Sequence, residues 1–415
     1  MLIQTGTRGY TMIFRKSLRY RVYPTAEQKT RLLRWENALR FLWNLTHEHR
    51  LIGLSMSKKR YPTAFDQIND LSALRSELPW LADVPRNVAA QLIVELDSAW
   101  QRCFKHLART PRWKCKNHSV IGMTEPHPKR WRLDGSVLRF PKLGNLCAVV
   151  HRPLEGKPKT CTLKRDGDQW FVSIVCEIEV PDPIPRVAPV VAIDRGITNT
   201  LADSDGNLTA NPKFYEHAMK RLAHAQRIVS RRKKGSENRK KAQLRVMRLH
   251  RKVRRQREHF LHVESSRLAK SHGVVVIEKL NVAGMIRGRL SRSIADAGWS
   301  RFAEMLRYKL AWSGGTLVEV PAQYSSQTCS SCGHVDALSR RGERFCCTGC
   351  GHVDHADLNA AKVLKTRANR SGLPVEGTVP ETARRSRKSK VSLRVPRRQS
   401  SSPTFVGDYG VKSLS

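Results

Sequence analysis

The chain has 415 residues, of which 76 are Lys or Arg and 35 are Asp or Glu, leaving a formal net charge of +41. With 40% hydrophobic residues it can bury a sizeable core, which excludes wholesale disorder, and its length implies two or three domains. So large a surplus asks for a polyanion, most commonly nucleic acid, while the lack of a run of roughly 18 apolar residues or an apolar leader block argues against a membrane and for the cytoplasm.

Residues 1–11 are polar and patternless and read as a disordered leader, with Met12 a candidate start of translation. Phe14, Leu18, Tyr20 and Val22 then alternate with Arg15, Ser17, Arg19 and Arg21, which predicts a strand with a basic outer face. Thr25 followed by Gln28 makes a capping box ahead of Leu32, Trp35, Leu39 and Leu42, so a helix is expected to about Arg50. Helical patterning returns over 85–107. Strands follow over 131–140 and 159–178, the second stretch turning at Asp166-Gly167. Pro181, Pro183, Pro185 and Pro189 place a boundary near 182–188.

Past it, an apolar strand over 190–193 ends in Asp194, and a second over 198–202 reaches the turn Asp205-Gly206-Asn207. From Asn211 to Phe260 there are 18 Lys and Arg against three acids, which predicts two long basic helices broken at Gly235. A strand over 273–277 ends in Glu278. A helix over 300–312, a strand over 316–320 and a short helix from Leu358 complete the pattern. Residues 366–415, basic and rich in Ser and Pro, read as a disordered tail.

Of the ten cysteines, five stand singly and five crowd between Cys329 and Cys350. In a reducing cytoplasm such crowding marks metal ligands. Cys329-Ser-Ser-Cys332 and Cys347-Thr-Gly-Cys350 are two Cys-x-x-Cys turns with 14 residues between them. Extended to Asp336 and Asp354, they share six of eight positions, as two facing zinc knuckles would. Gly333 and Gly351 should let each backbone turn its amides toward the sulfurs. Cys346 is one residue out of step, so Cys329, Cys332, Cys347 and Cys350 are the expected ligands of a structural Zn2+. His334, His352 and His355 then lie around the site rather than in it.

Asp194 and Glu278 each close an apolar run, Val-Val-Ala-Ile and Val-Val-Val-Ile, 84 residues apart. One strand-end acid is ordinarily a turn former, but two invite a functional reading. Asp357 heads the last helix; an N-cap is the plain interpretation. Asp354 competes with it but belongs to the knuckle repeat. Three carboxylates brought together would repel unless they shared divalent cations, so Asp194, Glu278 and Asp357 are the expected catalytic acids, holding about two Mg2+ ions for phosphodiester cleavage.

Val-Ala-Ile-Asp194-Arg-Gly-Ile-Thr-Asn199, Val-Ile-Glu278-Lys-Leu-Asn281, Ser326-Gln-Thr-Cys329-Ser-Ser-Cys-Gly333, Phe345-Cys-Cys347-Thr-Gly-Cys-Gly351 and Asp357-Leu-Asn-Ala-Ala361 together resemble the TnpB family of transposon-encoded, RNA-guided DNA endonucleases. Arg21-Val-Tyr-Pro-Thr25, Glu27-Gln28, Trp43-Asn44 and Thr110-Pro-Arg-Trp-Lys114 extend the likeness to about residues 12–365. The resemblance implies a multidomain α/β chain. An N-terminal wedge β-barrel over 12–185 would hold a helical recognition insertion over about 25–115. A RuvC-like nuclease domain of RNase-H fold over 186–365 would carry a basic helical segment, 211–270, and a zinc ribbon, 322–354. It also implies a guide RNA from the element's own end, double-stranded target DNA beside a short adjacent motif, and a monomer. Arg195 and His355-Ala356 depart from the family's usual residues, and the Arg195 side chain is expected to leave its strand opposite Asp194. A guided repressor that has lost cleavage and a DNA-joining transposase are the alternatives; a missing acid would mark the first, and the absence of RNA the second.

Overall fold

The computed structural model describes residues 11–56, 61–116, 120–181, 183–285, 288 and 291–370. The expected leader, apart from Thr11, and the tail beyond Arg370 lie outside them.

The first half pairs helices with an antiparallel sheet. Its elements are β1 (Thr11–Tyr23), α1 (Ala26–Ser55), α2 (Ala64–Glu77), the short α3 (Pro79–Ala82), α4 (Arg86–Phe104), β2 (Met123–Glu125), β3 (Arg132–Asp134), β4 (Val137–Phe140), β5 (Gly144–Val149), β6 (Lys157–Asp166) and β7 (Gln169–Pro181). The seven strands lie in the order β2-β6-β7-β1-β5-β4-β3, so the first strand sits at the centre. Alternation puts Leu18, Tyr20 and Val22 of β1 in the core, shared with Leu32, Trp35, Leu39 and Leu42 of α1. The capping box forms as expected: Thr25 Oγ1 accepts from the Gln28 N–H at 3.3 Å, and Gln28 Oε1 accepts from the Thr25 N–H at 3.0 Å.

No helix is legible from the pattern over 64–77, because α2 buries only Gln67 and Leu71 and shows little periodicity. It is held instead by polar contacts. Arg50, fully buried, donates to Gln67 Oε1 at 2.8 Å, to Tyr61 Oη at 2.6 Å and to Asp97 Oδ1 at 2.8 Å, tying α1 to α2 and α4. Strands β2 and β5 also lacked a sequence signal, being short and partnered only through the sheet.

The second half contains β8 (Val190–Asp194), β9 (Asn199–Asp203), β10 (Leu208–Ala210), α5 (Phe214–Arg231), α6 (Glu237–Ser271), β11 (Val274–Lys279), α7 (Val282–Met285), α8 (Ser291–Ala297), α9 (Trp299–Trp312), β12 (Thr316–Pro321), β13 (Arg340–Arg341), β14 (Arg344–Cys346), β15 (Val353–His355) and α10 (Ala356–Arg370). A five-stranded sheet runs β10-β9-β8-β11-β12, with β8, β11 and β12 parallel. Val191, Ile193, Val275 and Ile277 face α6 and α9, while Val190, Ala192, Val274 and Val276 face Leu364 and Ala368 of α10. Burial on both faces is why these strands read as unbroken apolar runs. Gly235, at φ +86°, separates the two basic helices, and α10 continues to Arg370, five residues past the expected end of order. The result is a mixed α/β fold with a half-barrel sheet and a cluster of four cysteines. Among the described residues no helix is long and apolar enough to cross a membrane.

Replacing Arg50 leaves the polar atoms of Gln67, Tyr61 and Asp97 without their shared donor inside the helical layer. Arg50→Met should lower stability by about 2–3 kcal/mol, read by chemical denaturation.

Candidate active site

Parallel pairing aligns Ile193 with Ile277, so the next residues, Asp194 and Glu278, leave the sheet side by side at the carboxyl ends of β8 and β11. Pockets of parallel sheets form at this edge. The third acid, Asp357, arrives from the first turn of α10, which packs on both β8 and β9 and whose N-terminus favours a negative charge. Asp194 and Asp357 line one open cavity of about 690 Å³ with Arg195, Trp299, Gln327 and Arg340. Glu278 stands beside Asp194 and is only 8% exposed.

Burial pushes the Asp194 carboxyl well above the ordinary carboxylate range; the negative charge of Glu278, a hydrogen bond with it, and the charge of Asp357 push the same way, against Arg340. Hydrogen bonds fix the other two acids. Glu278 Oε1 accepts from the Arg195 N–H at 3.0 Å. Asp357 Oδ1 accepts from Arg340 Nη2 at 2.9 Å and Oδ2 from Asn199 Nδ2 at 3.3 Å. Gly196 is required by close approach, since a Cβ there would stand 2.5 Å from the Asn199 carbonyl oxygen. The Arg195 side chain is buried and donates to the backbone carbonyls of Glu278 and Trp299, so its guanidinium braces the exit of β11.

The four sulfurs fit a metal closely. The ligand atoms of Cys329, Cys332, Cys347 and Cys350 all lie within 4.8 Å of one another. Cys329 Sγ is 3.7 Å from Cys350 Sγ, and Cys332 Sγ is 3.6 Å from Cys347 Sγ. Tetrahedral Zn–S bonds of about 2.3 Å imply S–S edges of about 3.8 Å, and the N–H of Cys350, donating to the sulfur at 3.4 Å, pushes the Cys347 thiol down from the ordinary thiol range. Each turn repeats one pattern, the Gly333 and Gly351 amides donating to the Cys329 and Cys347 carbonyls at 3.0 Å. The glycine amides close the turns, and in the second turn the Cys350 N–H then faces Cys347 Sγ at 3.4 Å, as the sequence had suggested. Cys346 is exposed and outside the cluster, and Asp354 pairs with Lys362 at 2.7 Å.

The carboxylates are more widely spread than the sulfurs, Asp357 acting on Asp194 through its charge. Their hard oxygen donors suit Mg2+, and the two guanidinium groups beside them, Arg195 and Arg340, do not balance three acids. The four-cysteine module also builds this cavity: Arg340 comes from the segment between the two Cys-x-x-Cys turns, and Asn359 of α10 donates to the Thr328 carbonyl at 2.7 Å and accepts from the Ser330 N–H at 2.9 Å. Sequence reasoning missed Arg340, Asn199 and Asn359. The two asparagines stand within quoted motifs; Arg340 is one arginine among many and carried no signal.

Residues 173–289 match the family described as "Probable transposase", residues 299–364 match "Cas12f1-like, TNB domain", and residues 12–50 match "Helix-turn-helix domain". A Streptomyces pristinaespiralis protein named "Putative RNA-guided DNA endonuclease" is 34% identical over 359 residues, 84% of this chain and 88% of its own length. The chain belongs to the TnpB family. A relative within reach of this TnpB chain is InsQ of Escherichia coli (strain K12), which bears the same name, at 29% identity over 84% of the chain and 90% of its own length. The structure of a Cas12f1-sgRNA-target DNA complex superimposes with a TM-score of 0.53 at 14% identity, covering 85% of the TnpB chain and 98% of that one, which establishes a shared fold.

Cys350→Ser opens the sulfur cluster. The zinc-to-protein ratio should fall from about one toward zero by metal analysis, with a lower melting temperature.

Proposed function

We propose that this protein is an RNA-guided, divalent-metal-dependent DNA endonuclease of an insertion sequence, cutting double-stranded DNA beside a short adjacent motif. The observation that carries the reading is the pressing together of Asp194 and Glu278, with Asp357 across the same cavity, at the carboxyl edge of a parallel sheet. In this reading the five-stranded sheet with α10 is a RuvC-like domain of RNase-H type, 186–365, bearing the zinc ribbon 322–354. The seven-stranded sheet is the wedge over 12–185, with α1 to α4 as its recognition insertion. The names of the relatives and the net charge of +41 support RNA and DNA as partners.

Asp194, Glu278 and Asp357 would hold Mg2+. Bound there, the ions would supply an acidified water and neutralise the phosphate undergoing in-line attack. The chain's own residues do the rest. Arg195 fixes Glu278 through its backbone N–H and the strand exit through its guanidinium. Asn199 and Arg340 orient Asp357, and the remaining donors of Arg340 point a cation into the cavity for a non-bridging phosphate oxygen. The products would carry a 5′ phosphate and a 3′ hydroxyl. A repressor without cleavage is disfavoured by the presence of all three acids. The family description "Probable transposase" keeps a DNA-joining enzyme as the second reading, which needs no RNA.

Sequencing RNA that copurifies with the protein separates the two: a discrete species from the element's end supports guidance, and its absence supports joining. Asp194→Ala should reduce cleavage by at least about three orders of magnitude with guided binding retained; undiminished cutting would refute the acid assignment. Arg340→Ala should slow cleavage about 10²- to 10³-fold at unchanged zinc content, read in single-turnover assays.

A further inference from the structure

Among the described residues, three ion pairs join the first half of the chain to the second, and all three end on one turn. Arg248 and Arg251 reach Asp168 at 2.7 and 2.9 Å, and Arg254 reaches Asp166 at 2.5 Å. The turn between β6 and β7 is shaped for this contact. Gly167 sits at φ +65°, and a Cβ there would stand 3.3 Å from Arg251 Nη1, which donates to the Asp166 carbonyl at 2.6 Å. Arg255 donates to Gln169 Oε1 at 3.0 Å, and Arg19 lies 4.0 Å over the Phe171 ring and 3.7 Å from Asp166.

Arg248, Arg251, Arg254 and Arg255 recur at spacings of three and four on one face of α6. With Arg19 they bring five guanidinium groups to two carboxylates, a surplus of three positive charges. Arg248 spends a full edge on Asp168, its Nε and Nη2 both donating to Oδ2. That edge is the one an arginine offers a phosphate. Burial pushes the Asp168 carboxyl up, but hydrogen bonds from Arg248 and Arg251 outweigh it and bring it down to about 2, so the turn keeps its charge across the working pH range. Yet the Arg248, Arg254 and Arg19 side chains remain at least half exposed. Exposed ion pairs hold weakly, whereas a polyphosphate strand engages several arginines at once and releases counterions.

We propose that the arginine face of α6 from Arg248 to Arg255 binds nucleic-acid backbone phosphate, and that the Asp166-Gly167-Asp168 turn is a built-in competitor for it. The carboxylates present arginine with paired oxygens in place of phosphate, so nucleic-acid binding and the docking of the two halves at this turn oppose each other. The proposal rests on the nucleic-acid-binding part of the reading above and is independent of cleavage.

The test is equilibrium binding of a fluorescein-labelled RNA–DNA hybrid of about 20 base pairs to the full chain at fixed salt. Asp166→Asn with Asp168→Asn should bind about 5- to 10-fold tighter than the unaltered protein. Glu237→Gln with Glu304→Gln removes the same two charges from exposed pairs with Lys240 and Arg301, and should change affinity less than about 2-fold. Equal shifts in the two double variants, or weaker binding by the turn variant, would overturn the competition while leaving guided cleavage standing. No binding of the hybrid by the unaltered protein would overturn both. A readout that needs no variant is hydrogen exchange. Saturating hybrid should speed exchange of the amides over 165–169 in the unaltered chain, and unchanged or slower exchange there contradicts the proposal.

Discussion

Electrostatic repulsion at the end of two buried parallel strands is the constraint around which the second half is built. Asp194 and Glu278 sit where the apolar interior stops, and the register of β8 with β11 leaves them no way to avoid each other. The surroundings then divide the burden. A backbone amide donates to Glu278, while Arg340 and Asn199 donate to the two oxygens of Asp357. Asp194 is left with burial and its acidic neighbours, which push its carboxyl well above the ordinary carboxylate range. Perturbed carboxyls at a cavity edge are a physical mark of a site, and here the mark falls on Asp194.

How much of this could be read in advance follows the range of the interactions. The apolar runs before Asp194 and Glu278, the capping box at Thr25 and the break at Gly235 are local patterns and were legible. So was the cysteine duplication, because two turns of the same chemistry must look alike. Helix α2 was not legible: it is held by Arg50 reaching across from α1, a contact with no trace in the local sequence. The same holds for Arg340, 17 residues before its partner Asp357 and placed by the knuckles on either side of it. In a chain with 76 basic residues, a single arginine cannot be picked out by type alone.

The positive surplus is also less uniform than its total suggests. Part of it is spent inside the protein, on Glu36 by Arg165, on Asp83 by Arg31 and on the turn at Asp166 and Asp168. Much of the remainder runs along α5 and α6, whose apolar positions are few and whose fold depends on packing against one another and on α9. Such helices are stabilised by whatever neutralises them, so partner binding and helix stability should be linked.

Asn359 is wholly buried and bonds α10 to the backbone on both sides of Cys329, through Thr328 and Ser330. Two residues earlier on the same helix stands Asp357, and the segment beyond that cysteine supplies Arg340. Loosening the four-cysteine cluster would therefore shift a carboxylate and its arginine partner together, so that the integrity of one corner of the fold sets the shape of another.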